Sequence, residues 1–311
     1  MAKIAVHLPD QVPQSWVDAL VEGLPEHELQ RWPNVAAHAD EIEYAIVLIP
    51  EPGSLCGYPR LKAIFLSTAG IDHLIGDDSL PDVPICRLTH PELAARMSEY
   101  VLAHVLRQHR QLPAYAAAQR AGQWRPLKPQ LAASDVTVGI LGLGVLGLDA
   151  ARKLGTVGFR LRSWSRSPKD EQGIDCFHGL DQLNTFFGEC NYAVSFLPLT
   201  AKTRDLLDAS AFAAMPEGAI FINVGRGGCV VEEDLLAALD AGHLGGAVLD
   251  VFAEEPLPDG HPFWSHPKVT VTPHISTTTH PRMLIPHVRN NIARIERGEA
   301  PLNVVDLAAG Y

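Results

Sequence analysis

Residues 136–149 read Val136-Thr-Val-Gly-Ile-Leu-Gly142-Leu-Gly144-Val-Leu-Gly147-Leu-Asp149. The apolar run Val136–Leu141 enters three glycines spaced G-x-G-x-x-G and leaves into a stretch that reads as a helix from Val145. Each glycine has a physical task in such a turn: a sharp bend, close approach of backbone to a pyrophosphate, and tight packing of helix on strand. Free N–H groups and the dipole at a helix N-terminus favour the phosphates. A glycine triplet alone is a weak signal. The strand before it and the helix after it make it a dinucleotide-binding reading.

Outward from this turn, short apolar runs alternate with helical patterns. Ile4–Leu8, Tyr44–Ile49, Leu61–Leu66 and Ile85–Leu88 precede it, and Phe159–Trp164, Tyr192–Leu197, Ala219–Val224, Ala247–Val251 and Val269–Val271 follow it. Such runs read as buried parallel strands, and the alternation implies right-handed βαβ crossovers. The expected fold class is therefore α/β with two doubly wound parallel-sheet domains. Glu92–Gln111 reads as a long helix with Leu102, Val105 and Leu106 inward, ended or kinked by Pro113. Trp124–Gln130, with two prolines, reads as a connection. Glu232–Ala241 carries Leu235, Leu236 and Leu239 on one helical face. A final helix, Met283–Gly298, is expected to return to the first domain.

A chain of 311 residues accommodates two domains of ordinary size. Its 47 % hydrophobic and 20 % charged content describes a soluble globular protein. A formal charge of -11 argues against nucleic acid or an anionic membrane as partner, so an anionic substrate needs a locally basic pocket. Five scattered cysteines (Cys56, Cys86, Cys176, Cys190, Cys229) without a C-x-x-C pair suit reduced thiols. With no signal-type apolar segment at the start, this favours a cytoplasmic protein. No metal is expected, because the histidines show no ligand spacing such as H-E-x-x-H; His7, His38, His261 and His266 read as structural or surface groups.

The strand after the glycine turn decides the cofactor. An NAD site has an acid about 20 residues on, to accept the ribose hydroxyls. Here the chain reads Arg162-Ser-Trp164-Ser165-Arg166-Ser-Pro-Lys169, without a carboxylate. Ser165, Arg166 and Lys169 suit a 2′-phosphate through charge-assisted hydrogen bonds. NADP is the expected cofactor, with NAD less favoured.

Three further segments invite a catalytic reading. Asn223-Val-Gly225-Arg226-Gly227-Gly228 sets an arginine between glycines at a strand end, where open α/β sheets bind ligands. Asp250-Val-Phe-Ala-Glu254-Glu255-Pro256-Leu-Pro258 sets acids at another, and Thr272-Pro-His274-Ile-Ser276 an imidazole at a third. Singly these are a surface arginine, a turn acid and a hydrogen-bonded histidine. Together, in one nucleotide-binding unit, they form a candidate site.

The glycine turn and these three segments, in this order, resemble the D-2-hydroxyacid dehydrogenase family. The chain is most similar to its glyoxylate/hydroxypyruvate reductase A branch, through Trp164-Ser-Arg166, Val231–Leu239 and the terminal Val305-Asp-…-Gly310-Tyr311. The resemblance implies a Rossmann cofactor domain, 101–280, inserted in a flavodoxin-like substrate domain made of 1–100 and 281–311. It implies Arg226, Glu255 and His274 as the catalytic set, with Glu255 chosen over Glu254 as the acid directly before Pro256. It places the cofactor on Gly142, Gly144, Val145, Leu146, Gly147, Ser165, Arg166, Lys169, Leu197, Pro198, Val224, Asp250 and Ser276. Substrate is expected on Arg226, His274 and the N–H groups of Ala69, Gly70 and Ile71 in Ser67-Thr68-Ala69-Gly70-Ile71-Asp72, with Asp72 stabilising that loop. The implied activity is NADPH-dependent reduction of small 2-oxo acids, glyoxylate to glycolate and hydroxypyruvate to glycerate, by a homodimer. Its two-fold interface is expected on Glu92–Gln111 and Leu112–Ala118. A D-lactate or other D-2-hydroxyacid dehydrogenase is the alternative within the enzyme class, and a nucleotide-sensing corepressor-like binding protein the alternative outside it. One departure stands out: Thr279-His280-Pro281-Arg282 occurs where relatives often carry arginine directly after the threonine. Whether His280 or Arg282 fills that place is open at this level.

Overall fold

The computed structural model describes residues 1–32, 34–127, 129 and 131–307. Lys128 and Gln130 of the expected connection, and Gly310 and Tyr311 of the terminal match, lie outside the described residues. The strands are β1 (Lys3–His7), β2 (Glu28–Arg31), β3 (Ile42–Val47), β4 (Ala63–Leu66), β5 (Ile85–Cys86), β6 (Thr137–Leu141), β7 (Arg160–Ser165), β8 (Asp175–His178), β9 (Tyr192–Ser195), β10 (Ile220–Asn223), β11 (Gly246–Leu249) and β12 (Val269–Val271). The helices are α1 (Gln14–Gly23), α2 (Pro91–His109), α3 (Leu112–Arg120), α4 (Val145–Val157), α5 (Leu183–Phe187), α6 (Ala209–Ala213), α7 (Glu232–Asp240) and α8 (Pro281–Glu296).

Two compact units arise: Met1–Glu92 with Thr279–Tyr311, and Leu93–Thr278. The first holds a five-stranded sheet in the order β2-β1-β3-β4-β5, parallel throughout; this is the flavodoxin-like order. Strand side chains alternate between faces. Ala5, Ala45, Val47, Ile64 and Leu66 join one apolar core. Tyr44 and Phe65 stack and are fully buried, and Phe65 meets His287 of α8 edge-on.

The second unit holds a seven-stranded parallel sheet, β12-β11-β10-β9-β6-β7-β8. From β6 the chain winds outward to β8, then returns to β9 and winds the other way. The order therefore reverses between β6 and β9, as in a Rossmann sheet. Two separate cores show that helices cover both faces. Val138, Ile140, Val194, Ile222 and Val248 pack with Met97, Val101 and Val105 of α2 and Leu154 of α4. Leu141, Phe221 and Leu249 pack with Phe186, Phe212, Leu235 and Leu239 from α5, α6 and α7.

The unit boundaries fall at Glu92/Leu93 and Thr278/Thr279, so most of α2 belongs with the second unit. The buried stripe Leu93, Met97, Val101, Val105 recurs every four residues and is what binds the helix there. Leu102 and Leu106 flank that stripe, half-buried. Helix α2 ends before Pro113 is reached: Gln111 takes a left-handed φ of 55° and α3 restarts at Leu112. Pro113 then lies in a first turn, where its missing N–H is harmless.

Candidate active site

Strand register brings the three candidate segments to one level. Asn223 at the end of β10 pairs with Leu249 at the end of β11, which pairs with Val271 at the end of β12. The loops bearing Arg226, Asp250–Glu255 and His274 thus leave three neighbouring strands side by side. The glycine turn leaves β6 at the switch point, where Leu141 pairs with Ser195 of β9.

The glycines divide their tasks as the spacing requires. Gly142 has φ of 95° and makes the bend. A Cβ on Gly147 would lie 2.2 Å from the Gly142 carbonyl oxygen, so only glycine lets α4 seat against the strand. A Cβ on Gly144 would meet nothing within 4 Å. Gly144 is the N-cap of α4 and supplies no side-chain cap, while the following Val145 is 80 % exposed. Open space before uncapped helical amides fits a diphosphate. Leu146 is half-buried; Leu197, Val224 and Ser276 are buried, and Pro198 accepts the Thr203 hydroxyl at 2.6 Å. At the end of β7 the buried Ser165 hydroxyl donates to the Ser167 carbonyl at 2.9 Å, shaping a loop on which Arg166 and Lys169 are exposed.

Arg226 is half-buried on a loop fixed by one side chain. The buried Asn223 donates to the Arg226 carbonyl at 3.1 Å and accepts the Gly225 N–H at 3.1 Å. The guanidinium donates to the Gly225 carbonyl at 2.8 Å. The next residue locks this loop to the acid-bearing one, since a Cβ on Gly227 would lie 1.8 Å from the Phe252 carbonyl carbon.

Glu255 takes the Phe252 N–H at 3.0 Å on one oxygen and Nδ1 of His274 at 2.8 Å on the other. With Nδ1 donating to a carboxylate, Nε2 remains the ring atom for proton exchange. Burial raises the Glu255 carboxyl pKa, but the His274 and Phe252 hydrogen bonds and the charges of His274 and Arg226 outweigh it. The group is held below its usual 4.5.

His274 itself has a left-handed φ of 52°. Its amide donates to the Asp250 carbonyl at 2.9 Å, and the next two amides, Ile275 and Ser276, donate to the Asp250 carboxylate at 2.8 Å each. Asp250 is fully buried and also accepts the Thr272 hydroxyl at 2.6 Å. Tyr100 of α2 reaches that hydroxyl at 2.6 Å. Asp250 therefore sits beneath the histidine segment as its support. Sequence reading did not single out Asn223, Tyr100 or Thr272, because their partners are set by register and by pairing across distant segments.

In the first unit, Ser67–Ile71 follows β4. The Thr68 hydroxyl donates to the Gly70 carbonyl at 2.8 Å and Ile71 is buried, so the loop is anchored at both ends while Ala69 and Gly70 are half-exposed. Thr279 donates its hydroxyl to the Ser67 carbonyl at 2.6 Å. Arg282 makes a two-point ion pair with Glu92, and His280 caps α8 by accepting the Arg282 amide at 3.2 Å. Both side chains of the divergent segment thus have local structural tasks.

Residues 102–276 match the family model described as D-isomer specific 2-hydroxyacid dehydrogenase, NAD binding domain. The chain is 40 % identical over 305 residues to glyoxylate/hydroxypyruvate reductase A of Serratia proteamaculans, covering 96 % of each protein. It is also similar to the crystal structure of an NADPH-dependent glyoxylate/hydroxypyruvate reductase from Sinorhizobium meliloti in complex with NADP and sulfate. That similarity has a TM-score of 0.94 and 40 % identity, over 100 % of both chains. A D-isomer specific 2-hydroxyacid dehydrogenase from Xanthobacter autotrophicus, in complex with NADPH and MES, gives a TM-score of 0.93 and 41 % identity over 100 % of this chain and 99 % of that one. The loop geometry, the Arg–Glu–His set and these likenesses agree: the chain belongs to the D-isomer specific 2-hydroxyacid dehydrogenase family.

Proposed function

We propose that the protein reduces small 2-oxo acids with NADPH, converting glyoxylate to glycolate and hydroxypyruvate to glycerate. The observation that carries this reading is the His274–Glu255 pair at 2.8 Å, on strand ends adjoining the Arg226 loop. Its relatives from Serratia and Sinorhizobium, named for this activity, support it.

The unit Leu93–Thr278 is the cofactor domain, and Met1–Glu92 with Thr279–Tyr311 the substrate domain. The amides at Gly144–Gly147 hold the pyrophosphate, and Ser165, Arg166 and Lys169 the 2′-phosphate. NADPH, when bound, supplies the hydride that adds to the keto carbon. Arg226 pairs with the substrate carboxylate through its planar guanidinium and stabilises the charge developing on the keto oxygen. His274 gives that oxygen its proton from Nε2. Glu255 fixes the ring and balances the imidazolium charge. In the first unit, the amides of Ala69, Gly70 and Ile71 are the proposed substrate contacts.

The chain acts as a cytoplasmic homodimer. Among the described residues no helix is long and apolar enough to cross a membrane, and the five cysteines stand as free thiols. Leu112, Tyr115, Trp124 and Leu131 expose apolar surface on α3 and the connection after it, with Trp124 99 % exposed, which supports a two-fold contact there. Sedimentation at micromolar concentration tests this, and monomer alone refutes it.

Initial rates with glyoxylate, hydroxypyruvate, pyruvate and phenylpyruvate, each with NADPH and NADH, test the activity. The first two with NADPH are expected to be fastest. His274→Gln should lower turnover by about 10² or more while cofactor still binds. Phenylpyruvate outrunning both small acids would overturn the substrate assignment.

A further inference from the structure

The hydroxyl groups of Tyr100 and Thr272, 172 residues apart, meet at 2.6 Å. We propose that Tyr100 and Thr272 are positioning residues for the proton donor, acting through Asp250 to hold His274 at its working angle. The proposal rests on the assignment of His274 as proton donor.

His274 needs such support. Its φ of 52° lies in a region that side chains other than glycine seldom adopt, and it persists only where surrounding bonds over-determine it. Three consecutive amides, 274 to 276, converge on Asp250, two of them on its carboxylate. The orientation of that carboxylate thus sets the direction of the loop. What fixes the carboxylate in turn is the Thr272 hydroxyl, 2.6 Å from Oδ1.

Donor and acceptor roles follow from chemistry. Thr272 gives its hydroxyl proton to Asp250, so its oxygen must then accept from Tyr100. Burial pushes the Tyr100 hydroxyl up to about 12, so it remains a donor at any working pH. Its ring is fixed on α2 against His104, with centroids 4.4 Å apart. Hydrogen bonds in such a chain polarise one another, so removing the first loosens the last. A small misplacement of a catalytic group is costly in rate.

The test compares full-length Tyr100→Phe, Thr272→Val, Thr272→Ser and the double Tyr100→Phe/Thr272→Val variant, with glyoxylate and NADPH. Tyr100→Phe and Thr272→Val should each lower kcat about tenfold. Thr272→Ser keeps the hydroxyl and should restore most of the rate. The double variant should be no slower than Thr272→Val alone, as expected for one coupled chain. In parallel, the His274 ring resonances, assigned by their loss in His274→Gln, should move in Tyr100→Phe and Thr272→Val but not in Thr272→Ser. Unchanged resonances, or a Thr272→Ser variant as impaired as Thr272→Val, would overturn the proposal. Should the wild-type protein reduce no 2-oxo acid, the functional assignment falls, and the resonances alone decide the positioning claim.

Discussion

Nδ1 of His274 lies 2.8 Å from Glu255 Oε2, while the other Glu255 oxygen holds the Phe252 amide at 3.0 Å. The carboxylate is thus a rigid strut between a backbone and an imidazole. Its folded pKa lies below the usual value, so the group stays charged above about 4.5, and its stabilising contribution is lost as pH falls through the lowered value. The acid limb of the kcat profile should therefore lie below the ordinary carboxylate range. Glu255→Gln should remove that limb and lower the plateau by at least about tenfold. An acid limb identical in wild type and Glu255→Gln assigns the titration to another group.

Asn223 braces the Arg226 loop through the Arg226 carbonyl and the Gly225 amide. Arg226→Lys keeps the charge but loses the planar two-point contact. At least about a tenfold loss in kcat/KM is expected, equal to roughly 1.4 kcal/mol of transition-state stabilisation. Asn223→Ala should lower kcat/KM in the same direction with Arg226 intact. An Arg226→Lys enzyme with unchanged kcat/KM removes the guanidinium from the carboxylate site.

Arg166 is exposed on the loop after β7. A charge-assisted bond to a phosphate is worth about 1.5–3 kcal/mol, so Arg166→Ala should raise KM for NADPH by roughly 10- to 100-fold. KM for NADH should stay within about twofold. Equal losses for both cofactors would place Arg166 elsewhere than at the 2′-phosphate.

The glycine turn allows stability and binding to be separated. Gly147→Ala forces a methyl against the Gly142 carbonyl and should cost about 1–3 kcal/mol of stability, seen as a lower Tm. Gly144→Ala meets open space, so its Tm should match wild type while NADPH affinity falls. If Gly144→Ala binds NADPH normally, the pyrophosphate does not approach that residue.

The sequence announced the buried parts of the fold because strands covered on both faces need continuous apolar runs, as in Ile220–Asn223 or Gly246–Leu249. The edge strands Glu28–Arg31 and Asp175–His178 have no buried residue and mix polar with apolar side chains, so they gave no such run. The helix break was legible through Pro113, yet it falls at Gln111, whose left-handed turn no local pattern marks. Arg226, Glu255 and His274 stand in short local motifs, which is why the amino-acid order offers them as candidates. Tyr100 carries no such signal, since its relation to the site depends on how α2 lies beside β12, which is a property of packing.

The missing Cβ of Gly227 means that the arginine loop and the acid loop share one volume, with the Phe252 backbone where a side chain would stand. Any side chain at 227 is thus closed off, because it would break both loops together.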